Sequence, residues 1–115
     1  MLLNEGDKIL VAHRRLFEKD EIRFFVGRVD AYEAGVVRVT GHSHVRDAVG
    51  GRLIEKDDER TKILSLASGT LIVYLLPDRV ALDLLKFVAT DGRLVLSDGK
   101  GFTMNLTESS HGGHL

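Results

Sequence analysis

Two histidines separated by one residue, His42 and His44, have the spacing in this sequence that best suits metal ligands. Alternate residues of a strand project from the same face, so both imidazoles would lie side by side, with Asp47 close in sequence. Two ligands are fewer than a zinc site needs. The pair shares its alternation with Arg38 and Thr40, which we expect to face outward. We therefore interpret both as solvated surface histidines and predict no cofactor.

Arginines in the same region point to a second kind of chemistry, the binding of nucleic acid. Tyr32 stands among them as a ring on which a base could stack, and the candidate interface is Tyr32, Arg28, Arg38 and Arg46. The wider basic set is Arg14, Arg15, Arg23, Arg28, Arg38 and Arg46. Acidic residues are interleaved along the same stretch, so a solvated surface of mixed charge is the competing interpretation.

The sequence contains no pattern typical of a catalytic site. It has no cysteine, which excludes thiol nucleophiles, disulfides and thiolate metal sites. Neither Ser65 nor Ser68 stands in a nucleophile motif, and the acidic run at residues 57–59 reads as a solvated loop. We predict that the chain is not an enzyme and assign no catalytic residue.

Composition describes an ordinary globular domain. The 115 residues suit one domain, and 43% are hydrophobic and 29% charged, far from the signature of disorder. Sixteen Lys and Arg stand against seventeen Asp and Glu, so any nucleic-acid site must be local. The longest apolar run is too short to span a bilayer and the first residues do not read as a leader, so we expect no membrane partner and a cytoplasmic location.

Strand patterns separated by turn residues predict a mostly β fold. In the strand at residues 22–31, the apolar positions are Ile22, Phe24 and Val26 before Gly27, and Val29 and Ala31 after it. We interpret this change of parity as a strand that bends at Gly27 and switches its buried face, as a small barrel requires. A first strand is predicted at residues 8–13, and a turn at residues 32–35 joins the strand at 22–31 in a hairpin to a third strand at 36–45. Residues 46–60 read as an exposed loop or hairpin excursion.

The next segment predicts a tight hairpin between residues 61–66 and 71–76, ended by Pro77. Its second strand is apolar on both faces, which suggests that its outer face is buried within the chain or between subunits. We take this strand as the interface of a homo-oligomer: Leu71, Ile72, Val73, Tyr74, Leu75 and Leu76.

The remaining residues predict a short helix followed by a meander. Asp78 can cap one or two helical turns ending at Leu85. Strands at 85–90 and 93–97 flank the Asp91-Gly92 pair, which suits a hairpin turn, and residues 102–106 form a third strand. The predicted domain is 1–107, a single β-barrel domain, and 108–115 is a flexible C-terminal tail.

The stretch GRVDAYEAGVVRV, residues 27–39, resembles the first motif of the Sm-like family, and most closely its bacterial Hfq-type members. A glycine opens a bent strand, apolar residues alternate, and the aromatic Tyr32 precedes the acidic Glu33 at the turn. Residues 63–77 stand where the second motif would be. The resemblance implies a small bent-strand barrel of Sm-like or SH3-like type, with an added C-terminal β-meander and at most one short helix.

The same resemblance implies self-association into a ring, because strands around the second motif pair between neighbouring Sm-like subunits. It implies RNA binding less directly. The turn reads Glu33-Ala34-Gly35 and the second motif reads LASGT at 66–70, without the amide and basic side chains that hold RNA in such rings.

Three hypotheses follow for function. The first is a non-catalytic, self-associating Sm-like barrel whose surface binds RNA or other single-stranded nucleic acid. The second is a structural or protein-binding module without a nucleic-acid role. A barrel that binds a small molecule is a third, which requires a cavity.

Overall fold

The structure is a computed structural model, and it describes residues 2–13, 23–46, 52–90 and 92–106. The tail predicted at 108–115 lies outside the described residues. Within them, the mostly β fold is confirmed, and no helix is long and apolar enough to cross a bilayer. The strands are β1 (Lys8–His13), β2 (Arg23–Glu33), β3 (Val36–Arg46), β4 (Leu53–Glu55), β5 (Arg60–Ser65), β6 (Leu71–Leu76), β7 (Lys86–Thr90), β8 (Arg93–Ser97) and β9 (Thr103–Asn105).

Six strands form one antiparallel main sheet in the order β4-β3-β2-β1-β6, with β5 also paired to β3. β2 and β3 form the predicted hairpin, and its turn holds Ala34 and Gly35 at φ 47° and 83°. Gly35 thus supplies the positive φ that a tight hairpin turn needs. β1 pairs with the outer side of β2, and β4 and β5 pair with the outer side of β3.

The main sheet buries both of its faces. One face carries the enclosed cluster, whose buried members are Leu3, Ile9, Val11, Phe25, Val29, Val37 and Val39. Leu64 of β5 and Val73 of β6 pack against this same cluster from the opposite ends of the sheet, so the sheet curls around it. The other face carries the inter-sheet cluster, whose buried members are Leu10, Phe24, Val26, Leu76, Val80, Leu85, Leu96 and Phe102.

The predicted change of buried face at Gly27 is wrong. Phe25 and Val29 both belong to the enclosed cluster, whereas Phe24 and Val26 belong to the inter-sheet cluster. The parity change in the sequence arises because β2 is covered on both sides, so apolar residues of either parity are buried there. The true irregularity is a β-bulge at Asp30, where the register with β3 shifts.

Gly27 has a different role from the predicted one. It pairs with Gly41 across β2 and β3, and both residues are buried. A Cβ on Gly27 would lie 2.3 Å from the Thr40 carbonyl oxygen, and one on Gly41 would lie 1.9 Å from the Val26 carbonyl oxygen. Glycine is required at both positions because the two backbones approach too closely for any side chain.

The predicted tight hairpin of residues 61–66 and 71–76 is also wrong. β5 pairs with β3 and β6 pairs with β1, so these consecutive strands occupy opposite ends of the main sheet. Pairing with β1 brings Val73 onto the enclosed cluster and Leu76 into the inter-sheet cluster, which a two-stranded ribbon could not achieve. No ladder joins β5 to β6 among the described strands, so the sheet does not close into a barrel.

The region predicted as a loop at residues 46–60 contains strand β4. Together β4 and β5 follow the same edge of β3: His44 pairs with Glu55, and Gly41 pairs with Arg60. Between those pairs, residues 56–59 stand opposite His42 and Ser43, so the edge is interrupted by a local excursion. Residues 47–51 lie outside the described part of the chain.

The predicted meander is confirmed as a second antiparallel sheet in the order β7-β8-β9. Gly92 has φ 75° at the β7–β8 turn, as the Asp-Gly pair predicted. Phe87 of β7 stacks on Phe24 of the main sheet, with ring centroids 4.6 Å apart. The meander therefore covers the face of the main sheet that would otherwise expose Phe24 and its neighbours.

The predicted helix at residues 78–85 is reduced to one 3-10 turn, Leu82–Leu84, which has no side-chain cap. Lys8 Nζ donates to the carbonyl oxygens of Asp78 and Val80, at 2.6 Å each. These carbonyls therefore bind a side chain of β1, and the segment joins the two sheets through a turn in which the Val80 N–H donates to the Pro77 carbonyl oxygen at 3.1 Å.

Asp98 holds the β8–β9 turn together. Its Oδ1 accepts the N–H groups of Lys100 and Phe102 at 2.8 and 3.2 Å, and its Oδ2 accepts that of Ala81 at 3.3 Å. These hydrogen bonds, first that of Lys100, lower the pKa of the Asp98 carboxyl. The turn also fixes Phe102 in the inter-sheet cluster.

We expect Asp98→Ala to lower the thermal midpoint by roughly 5–10 °C, because three backbone donors lose their acceptor at a buried turn. Asp83→Ala, at an exposed acid of the 3-10 turn, is the control and should leave the midpoint within error. Circular dichroism melts measure both. Equal midpoints for the two variants would contradict the role of Asp98.

Candidate functional site

Arg28 and Arg38 lie on the same side of the main sheet. Arg28 lies two residues after Val26 and so projects from the face of the sheet that carries the inter-sheet cluster. Arg38 lies between Val37 and Val39, which project into the enclosed cluster, so Arg38 also projects from the face opposite that cluster. Both arginines are exposed, on strands that pair with each other. The structure thus brings together two of the four residues predicted to bind nucleic acid.

Tyr32 lies on the opposite side from those two arginines. The bulge at Asp30 adds a residue to β2 and reverses the alternation, so that Tyr32 pairs with Val37 and packs half-buried against the enclosed cluster. Thr40 Oγ1 donates to Asp30 Oδ2 at 2.5 Å and holds the bulge in place. A base stacked on Tyr32 would therefore not meet the cations that were grouped with it.

Arg46 is remote from the other candidates. It ends β3 at the far end from Arg38, about 26 Å away along an extended strand. Arg14 and Arg15 lie outside the described residues. The predicted nucleic-acid residues therefore do not form one continuous surface in the part of the chain that the structure describes.

His42 and His44 do share a face, as predicted, but it is the face that the meander covers. His44 is only 3% exposed, so its interpretation as a solvated surface residue is wrong. His42 is half-buried at the edge of that face, and its Nδ1 lies 3.6 Å from Glu55 Oε2 of β4. The sequence pattern could not show this, because the covering strand comes from a distant part of the chain.

The imidazole of His44 packs edge-on against Phe87 of β7, with centroids 4.9 Å apart and an interplanar angle of 62°. Burial, followed by the nearby His42, lowers the pKa of His44 to about 4. His44 is therefore neutral at physiological pH and belongs to the contact between the two sheets. A role for this residue in stability follows from its position.

Among the described residues, no group of three or more His, Asp or Glu side chains is arranged to hold a metal ion. Asp47, which the sequence placed near the histidine pair, lies outside the described residues. Of the two histidines, His42 lies beside Glu55 at a half-exposed edge of the sheet, and His44 is buried beneath the meander.

The residues of β6 divide into covered and exposed ones. Leu76 is buried in the inter-sheet cluster and Tyr74 packs against it, so the meander of the same chain covers that part of the outer face. Leu71 and Val73 pack against the enclosed cluster. Of the six residues predicted to form an oligomer interface, Ile72 and Leu75 remain exposed, at 36% and 62%.

Exposed apolar side chains also occur on β5, at the other end of the main sheet. Ile63 is 72% exposed. β5 has its ladder with β3, and β6 has its ladder with β1, so each presents an outer edge that no other described strand pairs with. The outer edges of β5 and β6 therefore combine exposed apolar residues with the absence of a described strand partner, as do those of β4 and β7.

A group of basic residues that the sequence reading missed lies on the enclosed face, at the end where β1 stops and β2 starts. It consists of His13, Arg23 and Lys62, with Ser43 beside them. Lys62 shares the alternation of Leu64, which packs on the enclosed cluster. Lys62 lies two residues before the apolar Leu64 and so on the same face of β5, and a lysine at such a position was the sequence signal that could have revealed this group.

An open depression of about 300 Å³ lies at the end of the sheet where Tyr32 is found. Its lining residues are Leu3, Asn4, Glu5, Asp30, Ala31 and Tyr32. Two carboxylates border it, and it is a surface hollow rather than a closed ligand chamber.

Comparison of the chain with models of protein families, with curated proteins and with solved structures finds no match.

Proposed function

We propose that this chain is a non-catalytic β module of Sm-like or SH3-like architecture that self-associates through the free edges of β5 and β6. The observation that carries the proposal is the pair of free edges, each with a large exposed apolar side chain. The following points support it.

The first support is the cost of leaving such edges in water. An edge strand presents backbone donors and acceptors to any strand of similar length, and monomeric proteins usually block it with charge, proline or a covering segment. Here the exposed positions are Ile63 on β5 and Ile72 and Leu75 on β6. Pairing with another copy would satisfy the backbone and bury these side chains.

The second support is the relation between the two edges. They differ in sequence and lie at opposite ends of the main sheet, so β5 of one copy would pair with β6 of the next. Such a head-to-tail contact closes into a ring when its rotation permits. Because each main sheet curls around its enclosed cluster, two copies paired edge to edge would be rotated relative to each other.

The barrel-like architecture is supported by the same curl. β5 and β6 both contribute to the enclosed cluster although no ladder joins them. The sequence resemblance at residues 27–39 and 63–77 is an independent support. The resemblance also predicts the place of self-association that the free edges suggest.

We expect the wild-type protein to elute as an oligomer in size-exclusion chromatography with multi-angle light scattering. Ile63→Lys and Leu75→Lys should each shift it to a monomer, because a charged edge residue opposes strand pairing. Leu2→Lys makes the same kind of change at a side chain that is 85% exposed and belongs to neither edge, and it should leave the mass unchanged.

A wild-type monomer at high micromolar concentration would refute self-association. The free edges would then favour the alternative, a module that accepts a strand of a different protein. Single-stranded RNA is tested separately, by retention on an RNA column at low ionic strength, where phosphate-driven binding is strongest. Binding that Arg28→Gln and Arg38→Gln abolish would assign RNA to the outer arginines; no retention would exclude this part of the hypothesis.

A further inference from the structure

The enclosed face collects positive charge at one end. Ala12 pairs with Phe24, and the same register continued by one residue places His13 opposite Arg23. Arg23 pairs with Val45 near the end of β3. Three neighbouring strands thus end together at this point, and two of them contribute a basic side chain on the enclosed face.

A third basic side chain reaches the same place from β5. Lys62 Nζ lies 4.6 Å above the centre of the Phe25 ring and 3.3 Å from Ser43 Oγ. Phe25 is buried, whereas Lys62 and Ser43 are half-buried. The ammonium group is therefore held over the aromatic floor of the enclosed face, beside a hydroxyl, and directed toward the end where Arg23 lies.

No carboxylate of the described residues pairs with these three basic side chains. The ion pairs found among those residues are His42 with Glu55 and Arg60 with Asp58. The like charges act on each other: burial first, then Arg23 and Lys62, lowers the pKa of His13. Burial and then Arg23 and Arg60 lower the pKa of Lys62. Among the described residues no carboxylate offsets this repulsion, which a bound anion would relieve.

We propose that His13, Arg23, Lys62 and Ser43 form a binding site for a single phosphate group, carried by inorganic phosphate or by a small phosphate monoester. The group would sit between the Arg23 guanidinium and the Lys62 ammonium, with the Ser43 hydroxyl and the His13 imidazole as further donors.

The geometry favours one compact anion over a nucleic-acid backbone. A strand of nucleic acid requires cations spread along a track, because its charges repeat along the chain. Here the cations Arg23 and Lys62 and the imidazole of His13 converge from three strands on one place. Arg28 and Arg38, which could extend a track, project from the opposite face of the main sheet. Phe25 is 1% exposed and is not accessible as a stacking platform for a base.

The test is a titration of the full chain with inorganic phosphate and, separately, with adenosine monophosphate at low ionic strength, followed by NMR. We expect the His13 imidazole and the Ser43 amide signals to shift saturably, and the pKa of His13 to rise when phosphate is bound, since an anion favours the imidazolium. Tighter binding of adenosine monophosphate would identify an organic ester as the ligand, and equal binding would identify the free anion.

Lys62→Gln and Arg23→Gln should each weaken phosphate binding by roughly tenfold, the effect of losing one charge-assisted hydrogen bond. Arg93→Gln is the matched control, since it removes a positive charge from an exposed position of β8 in the second sheet, and it should leave binding unchanged. Arg23 is exposed, so its variant should fold. The thermal midpoint of Lys62→Gln without phosphate should equal or exceed that of the wild type, because repulsion is removed.

The proposal is overturned if the wild-type signals do not respond to either phosphate compound. It is also overturned if Arg93→Gln weakens binding as much as Lys62→Gln, which would indicate general attraction of anions. A single-stranded oligonucleotide that binds much more tightly than the monophosphate, and loses that affinity in both site variants, would assign the cluster to a nucleic-acid backbone instead. None of these outcomes depends on whether the protein self-associates.

Discussion

Gly41→Ala is expected to prevent stable folding of this protein. The added Cβ would lie 1.9 Å from the Val26 carbonyl oxygen and 2.5 Å from the Gly27 Cα, both of which are backbone atoms of the paired strand. Neither can move without separating β2 from β3, the pair of strands on which the main sheet is built. A loss of more than about 4 kcal/mol is expected, which is comparable to the whole stability of a small domain. Circular dichroism and urea unfolding measure it.

Gly69→Ala is the matched control. Gly69 has a positive φ of 78°, but no atom lies within 4 Å of a Cβ at this position. The substitution should therefore cost only about 1–2 kcal/mol of backbone strain. If Gly41→Ala were as stable as Gly69→Ala, the close approach of β2 and β3 would be wrong. Gly27→Ala, with a Cβ 2.3 Å from the Thr40 carbonyl oxygen, should repeat the result from the other strand.

The second large effect is a loss of stability in acid caused by His44. Its pKa is about 4 in the folded protein, against 6.5 for an unperturbed imidazole. Below pH 6.5 the unfolded chain takes up a proton that the folded chain refuses, so the free energy of unfolding falls as the pH is lowered. The loss accumulates between pH 6.5 and about 4 and reaches about 3 kcal/mol. Above pH 6.5 this residue causes no change.

His44→Phe isolates the contribution. The variant keeps an aromatic ring against Phe87 but cannot titrate, so urea unfolding at a series of pH values should show a shallower slope between pH 6.5 and 4. Any change in absolute stability from packing is the same at every pH and does not affect the comparison. His42→Gln should retain the slope of the wild type. Parallel curves for His44→Phe and the wild type would show that His44 is not buried as a neutral base.

Pairings between consecutive strands could be predicted from the sequence where a turn residue specifies a hairpin. The β2–β3 and β7–β8 hairpins were predicted because Gly35 and the Asp91-Gly92 pair adopt backbone angles that other residues avoid, with alternating apolar residues on either side. Turn chemistry acts over a few residues. It therefore needs no knowledge of the rest of the molecule.

The pairing of β5 and β6 was not readable in the same way. Their sequences and the short connection at residues 66–70 suit a hairpin, yet β5 pairs with β3 and β6 pairs with β1. The competition between a local and a distant partner depends on what lies on both faces. A sequence pattern states which residues alternate but not which element will cover them.

The candidate sites show the same division. The alternation correctly placed His42 and His44 on one face, but only the position of the meander made His44 a buried residue. Arg28, Arg38 and Tyr32 were grouped by their nearness in sequence, and the bulge at Asp30 placed Tyr32 on the opposite side from the two arginines. The cluster of His13, Arg23 and Lys62 could not be predicted by nearness, since its members come from three strands.

By itself, the sequence determined that the chain forms β strands, where its tight turns lie, and that the final three strands form a meander. Glycine geometry and period-two alternation act locally, and they suffice for those results. The tertiary structure decided that each face of the main sheet carries a buried cluster, and that no described strand pairs with the outer edges of β5 and β6. It also decided that His13, Arg23 and Lys62 meet without a carboxylate partner among the described residues. These features depend on contacts between residues far apart in the chain, which no local pattern encodes.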